Sequence, residues 1–235
     1  MTNGEKFLTI YNNLEQFLKK KMDLEEHVPF QQLIRLSSEK YKELYFFRHD
    51  LIEYGQLRNA IVHTRDGDKL IAEPYNETVE NFEQIYVKIT RPKSILEIIN
   101  NEVFILSPED TLEKALNIMG EKGFSTIPVY EENIFKGVIS NSKITNWLIM
   151  NLKISESINC KLVKLSELLK YKDETNVVKF INANTNIYEI RDIYKKNITT
   201  KNKIIAMIIT ETGRLNEKPL GIITNGDIPK IFENL

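Results

Sequence analysis

The chain of 235 residues predicts an α+β fold, in which an N-terminal α-helical bundle precedes two β-α-β-β-α repeats related by a pseudo-twofold. Three observations predict it. Apolar residues recur at steps of three and four up to about residue 90, the period of a helix face. From Val103 short apolar runs and helical stretches alternate in a fixed order, and that order returns from Val178. The segment Gly221-Ile222-Ile223-Thr224-Asn225-Gly226-Asp227 has an echo at Gly137-Val138-Ile139-Ser140-Asn141-Ser142-Lys143, with lysine in place of the aspartate.

In the first part, Phe7, Ile10, Tyr11, Leu14, Phe17 and Leu18 draw one stripe on a first helix. Pro29 fits the first position of a short second helix that carries Phe30, Leu33 and Ile34. A third, longer helix is expected to begin near Ser37-Ser38-Glu39 and to run to Ile61, with Gly55 weakening or bending it. Residues 64–69 read as a turn, and a last helix with Val79, Phe82, Tyr86 and Ile89 ends near Arg91-Pro92.

The second part starts with a β run at Val103–Leu106, a helix at Thr111–Lys122, strands at Thr126–Tyr130 and Phe135–Ile139, and a helix at Asn141–Leu152. After a connecting helix at Leu165–Leu169 the order repeats. Its parts are Val177–Ile181, Ile187–Lys196, Ile204–Thr210, Leu220–Thr224 and a closing helical turn at Ile228–Phe232. The offset between copies grows from 75 residues at Val103/Val178 to 84 at Gly137/Gly221, so the second copy carries insertions, notably Glu211–Lys218. The expected domains are 1–92, 93–155 and 156–235.

Composition excludes several classes. A formal net charge of −1 with 28% charged and 42% hydrophobic residues describes a globular chain, neither disordered nor a coat for polyanions. The single cysteine, Cys160, allows no intramolecular disulfide. Three histidines without a His/Cys cluster predict no metal site. No window approaches a membrane span and no secretory signal opens the sequence, so a cytoplasmic location is expected. Lys19-Lys20-Lys21 reads as a solvated helix end answered by Asp23, Glu25 and Glu26. Trp147 with Leu148, Ile149 and Met150 reads as a face that packs between repeats or across a dimer.

The chemistry of Gly221–Asp227 is that of a strand ending in a hydroxyl residue that can cap a helix, with a carboxylate one turn on. Free N–H groups there suit a phosphate, and Asp227 suits two neighbouring sugar hydroxyls. An ordinary helix cap accounts for the same residues without a ligand.

Both copies resemble the CBS repeat (cystathionine-β-synthase domain) through residues 95–235. The resemblance rests on Ser107-Pro108-Glu109-Asp110-Thr111, Ala115, Met119, Gly123, Ile127-Pro128-Val129 and Gly137-Val138-Ile139-Ser140 in the first copy. In the second it rests on Val178–Ile181, Ile187, Ile190, Ile208-Ile209 and Gly221–Asp227. It implies a tandem pair that binds an adenine nucleotide (AMP, ADP, ATP or another adenosyl compound) with no required cofactor. Thr224 would contact phosphate and Asp227 the ribose, with Ile205, Met207 and Asn182 along the base. Ser140 would touch a phosphate in the first copy, where Lys143 cannot accept from ribose, so one intact site is expected. Ile208 stands where the usual pattern has proline, at the edge where the base would lie.

Arg58-Asn59-Ala60-Ile61-Val62-His63 resembles the Arg-x4-6-His motif of HEPN helical domains, many of which cleave RNA as symmetric dimers without metal. That resemblance implies a catalytic set of Arg58, Asn59 and His63. His63 would move the proton, Arg58 would steady the phosphorane charge, and Asn59 would orient one of them. Positions five apart on a helix stand about 140° apart, so Arg58 and His63 share a face only if the helix unwinds near Val62. Three functional readings follow. The first is a regulatory homodimer in which the CBS pair binds an adenine nucleotide and controls the HEPN-like domain. The second is a metal-independent endoribonuclease gated by the pair, with RNA as partner. The third is a non-catalytic dimerisation scaffold.

Overall fold

The structure is a computed structural model that describes residues 1–24, 28–63, 65–66, 69–70, 73–99, 102–153, 157–171, 176–198 and 200–235; for 63, 65, 66, 69 and 70 the backbone alone is described. Two compact units divide the chain, Met1–Lys93 and Ser94–Leu235.

The first unit is helical, with α1 (Asn3–Met22), α2 (Phe30–Lys40), α3 (Lys42–Phe46), α4 (Arg48–His63) and α5 (Asn76–Thr90). Between α4 and α5, β1 (Arg65–Asp66) and β2 (Lys69–Leu70) pair antiparallel around the expected turn, whose residues 64, 67 and 68 lie outside the described residues. A capping box fixes the start of α1: the Thr2 hydroxyl accepts from the Glu5 N–H, and the Glu5 carboxylate accepts from the Thr2 N–H. Phe7, Tyr11, Leu14 and Leu18 are buried from that helix. Phe7, Tyr54 and Phe82 meet in one aromatic cluster, with Phe7–Phe82 and Tyr54–Phe82 centroids 5.0 and 4.4 Å apart.

Three expectations for this unit change. Pro29 is the residue before α2, which opens at Phe30. The long helix from Ser37 is not formed, because Ser37 and Ser38 are buried inside α2 and turn their hydroxyls back on the Leu33 and Arg35 carbonyls. The chain breaks at Tyr41, whose φ of −116° and ψ of 125° are extended, and α4 starts only at Arg48. Gly55 lies inside α4, where a Cβ would stand 3.2 Å from the Phe30 ring. Its glycine serves a close approach of α2 to α4. Lys21 is not a solvated helix end: its ammonium meets the Glu43 carboxylate at 2.8 Å and lies 4.0 Å from the Tyr41 ring centroid. The Glu43 side chain is only 3% exposed.

The second unit holds α6 (Ile95–Ile98), α7 (Leu112–Lys122), β3 (Thr126–Glu131), β4 (Ile134–Ser140), α8 (Asn141–Leu152) and α9 (Leu165–Leu169). There follow β5 (Asn176–Asn182), α10 (Ile187–Ile198), β6 (Lys203–Thr210), β7 (Gly221–Thr224) and α11 (Ile228–Phe232). The repeat is visible as register. Leu106 bridges Val129 in parallel and Val129 opposes Gly137; in the second copy Ile181 pairs with Ile209 in parallel and Ile209 opposes Gly221. The first copy keeps only that bridge at Leu106 where a strand over Val103–Leu106 is expected, whereas β5 runs seven residues.

The short helices ahead of each repeat are exchanged. The Ile95 N–H donates to Thr185 O of the second repeat, and the Leu165 N–H donates to Asp110 O of the first. Each repeat therefore completes its core with a segment from before the other. Leu165 and Leu168 of α9 are fully buried with Leu106, Leu112, Ile127, Val129, Ile139 and Trp147. Trp147 thus belongs to the core of the first repeat itself, while Ile149, Met150 and Leu152 further along α8 are about half exposed. Gly137 adopts φ +146° in β4, and a Cβ there would stand 2.8 Å from Leu169 of α9.

Candidate functional site

The exchange brings the ends of both repeats to one cleft of about 580 Å³. One wall comes from the first repeat. Gly123, in the left-handed region at φ +70°, ends α7 and turns the chain into β3, so that Phe124, Ser125, Thr126, Ile127 and Pro128 line the cleft with Phe104 and Glu102. Phe104 and Phe124 meet at an interplanar angle of 53° with centroids 5.4 Å apart, and the Lys122 ammonium sits 5.3 Å from the Phe104 centroid. The other wall is Ile222, Thr224, Asn225, Gly226 and Asp227 of the second repeat.

At that wall β7 ends and a three-residue 3-10 turn, Asn225–Asp227, leads into α11. Asp227 Oδ2 accepts from the Thr224 N–H at 2.8 Å and from the Thr224 hydroxyl at 3.0 Å. The carboxylate is thereby fixed in orientation with Oδ1 left over. The Thr224 hydroxyl proton is committed to Asp227, so Thr224 presents lone pairs rather than a donor.

Of the expected ligand residues, Thr224 and Asp227 line the cleft and four others do not. Met207 is fully buried at the centre of the β5-β6-β7 sheet. Asn182 pairs with Thr210, while Thr224 pairs with Ala206. Four residue steps along β6 separate these register positions, about 13 Å at the rise of a strand. The Asn182 side chain also accepts from the Asn184 N–H. Ile205, half-buried on β6, is outside the lining. Ser140 is 4% exposed and accepts from the Lys143 N–H as the cap of α8. Near it Lys143 donates to Tyr171 O at 3.0 Å and Asn176 donates to Ser142 Oγ at 3.1 Å. Residues following the first repeat thus engage these groups at the place equivalent to Thr224–Asp227. The proline that the second repeat lacks is supplied to this cleft by the first, as Pro128, and Ile208 is fully buried. The base-pocket residues expected from the sequence all lie in the second repeat, whereas the aromatic pair and Glu102 come from the first.

In the first unit a cleft of about 380 Å³ is lined by Tyr11, Glu15, Pro29, Phe30, Gln31, Gly55, Arg58 and Asn59. The Arg58 guanidinium lies 5.4 Å from the Tyr11 centroid and donates from Nη1 to Asn59 Oδ1 at 3.3 Å. Its Nε is buried without a partner among the described residues. Burial, reinforced by Glu15 and opposed by Arg58, pushes the Tyr11 phenol up to about 12. Arg58 and Asn59 are thus together, but α4 is continuous through His63, which sets positions 58 and 63 about 140° apart. The His63 side chain lies outside the described residues.

No group of His, Cys, Asp and Glu that could hold a metal occurs among the described residues, and none of their helices is long and apolar enough to cross a membrane.

Residues 95–149 match the family model described as CBS domain. The match falls within the second unit, and the region that precedes it is helical. Among curated proteins it is similar to the carnitine transport ATP-binding protein OpuCA of Listeria monocytogenes, 27% identical over 121 residues; the match covers 46% of this chain and 30% of that protein. Among solved structures it is similar to the CBS domain pair of protein MJ0100 in complex with 5′-methylthioadenosine and S-adenosyl-L-methionine, at 14% identity and TM-score 0.44, covering 60% of this chain and 97% of that one. It is also similar to CBSX2 in complex with AMP, at 16% identity and TM-score 0.41, covering 60% and 96%. A hexameric CBS-CP12 protein from bloom-forming cyanobacteria matches at 17% identity and TM-score 0.41, covering 59% and 71%.

Proposed function

We propose that the cleft of the second unit binds an adenosine-type ligand and that its occupancy regulates the N-terminal helical unit. The observation that carries the reading is the fixed Asp227 carboxylate, opposite an aromatic pair in a cleft of ligand size. A free carboxylate oxygen accepts from vicinal hydroxyls, and Phe104, Phe124, Pro128 and Ile222 offer apolar surface to a flat base. The CBS match at residues 95–149 supports the same reading.

Regulation requires the ligand to prefer one arrangement of the protein over another, since equal affinity for both changes nothing. The test is hydrogen exchange of the full chain with and without saturating adenosine. The reading expects slower exchange at residues 123–128 and 222–227 and a change within α1–α5. Protection confined to the second unit would remove the regulatory half and keep the binding half.

A second reading is a metal-independent ribonuclease in the N-terminal unit, acting as a homodimer. It is favoured by the Arg58 Nε beside Asn59, buried without a partner among the described residues. Cleavage of a mixed RNA by the full chain, lost in Arg58→Ala, is its expected outcome.

A further inference from the structure

The charge of the cleft narrows the ligand, an inference that rests on the adenosine-type reading above. Among the described lining residues there are two carboxylates, Glu102 and Asp227, and no lysine, arginine or histidine. Lys122 is engaged on the Phe104 ring and stands outside the lining. Lys203 opens onto a different groove with Tyr194, Ile204 and Phe232. Lys143 points its ammonium at Tyr171 O. A polyphosphate seated here would face negative charge without a partner.

The backbone gives it little compensation. The Thr224 hydroxyl proton is spent on Asp227. The following turn has three residues and α11 five, with Pro229 removing an N–H from its first turn. A helix this short, with one of its leading donors missing, is a poor anion site. Beside the neutral hydroxyls of Ser125 and Thr126 and the Asn225 amide, the cleft holds the acceptors Asp227 Oδ1, the Thr224 lone pairs and the Glu102 carboxylate, so every formal charge among its described lining residues is negative.

We propose that this cleft selects a nucleoside with a cationic tail, a sulfonium or an amine, and discriminates against a nucleoside di- or triphosphate. The ring lies against Phe104, Phe124 and Pro128, the vicinal hydroxyls donate to Asp227, and the tail runs towards Glu102. Opposite charges a few ångströms apart at a partly solvated site attract, and added salt weakens them.

The experiment is calorimetric titration of the full chain, at low ionic strength, with S-adenosylmethionine, adenosine and ATP as probes. The expected order is S-adenosylmethionine first, adenosine second and ATP last, with at least about tenfold between first and last. Glu102→Gln is expected to reduce the ratio of S-adenosylmethionine to ATP affinity by threefold or more, about the loss of one partly screened charge pair. ATP binding as tightly as S-adenosylmethionine overturns the charge selection and leaves the adenosine-type reading standing. Binding of none of the three overturns both. A ratio unmoved by Glu102→Gln overturns the placement of the tail.

Discussion

Asp227 has two tasks in this cleft, and they can be separated. Its Oδ2 holds the Thr224 N–H and hydroxyl, and in the proposed function its Oδ1 accepts from ligand hydroxyls. Asp227→Ala removes both. The lost cap costs about 1 kcal/mol of local stability, a loss the unit survives. Two hydrogen bonds from sugar hydroxyls to a charged acceptor are worth about 1.5–3 kcal/mol each, so adenosine affinity should fall by a factor of about 10² or more. Asp227→Asn keeps one carbonyl oxygen for the Thr224 donors but replaces the remaining acceptor with an amide donor. Its melting temperature should stay near that of the parent while its affinity falls almost as far as in the alanine variant. Isothermal calorimetry and thermal melts of the three proteins, side by side, give both numbers. An asparagine variant that binds adenosine as tightly as the parent would refute the ribose role and leave Asp227 as a helix cap.

Three further outcomes follow from the packing. Gly137→Ala should destabilise the first repeat by about 1–2 kcal/mol, since strain at φ +146° outweighs the gain from a stiffer unfolded chain. Leu169 can give way, so sterics add little. The sole tryptophan, Trp147, is buried in that core, and its fluorescence during urea unfolding reports the change. In Lys21→Met the buried Glu43 loses the Lys21 ammonium, and the N-terminal unit should lose about 2 kcal/mol, less than a fully buried pair because Lys21 is 25% exposed. Hydrogen exchange of α1–α3 measures it, and adding Glu43→Gln should recover part of the loss. Around Asp110, burial works to raise the carboxyl pKa, but the Lys114 hydrogen bond, the Ser107 N–H and the charges of Lys114 and Lys164 together hold it below the ordinary value. A folded pKa below the unfolded one contributes stability at neutral pH that is lost as pH falls through the folded value. Asp110→Asn should therefore be less stable than the parent at pH 7, and the two Trp147 unfolding curves should converge in acid.

The repeat was legible because its spacing survives in strands and helices that bury one face. Asn141–Leu152, Leu165–Leu169 and Ile228–Phe232 form over the residues their periodicity marks. The division of residues 37–63 was not legible, because the serines near which a helix was expected to begin instead bond back inside α2, and the break falls at Tyr41. The cleft was half legible. Thr224 and Asp227 carry a local pattern, whereas Phe104, Phe124 and Glu102 meet them only through a crossing of the two repeats. Periodicity fixes which face of an element is buried but not which distant wall faces it. Met207 shows the same limit: adjacent in the sheet to Ile223 of β7, it is fully buried and outside the cleft lining.

The most direct test of the central claim is an amide NMR titration of the full chain with adenosine. The account predicts that the largest shifts fall on Gly123, Phe124, Ser125, Gly226 and Asp227, from both repeats at once, and saturate together. Shifts confined to one repeat, or centred on Asn182 and the Tyr171 region around Lys143, would contradict it.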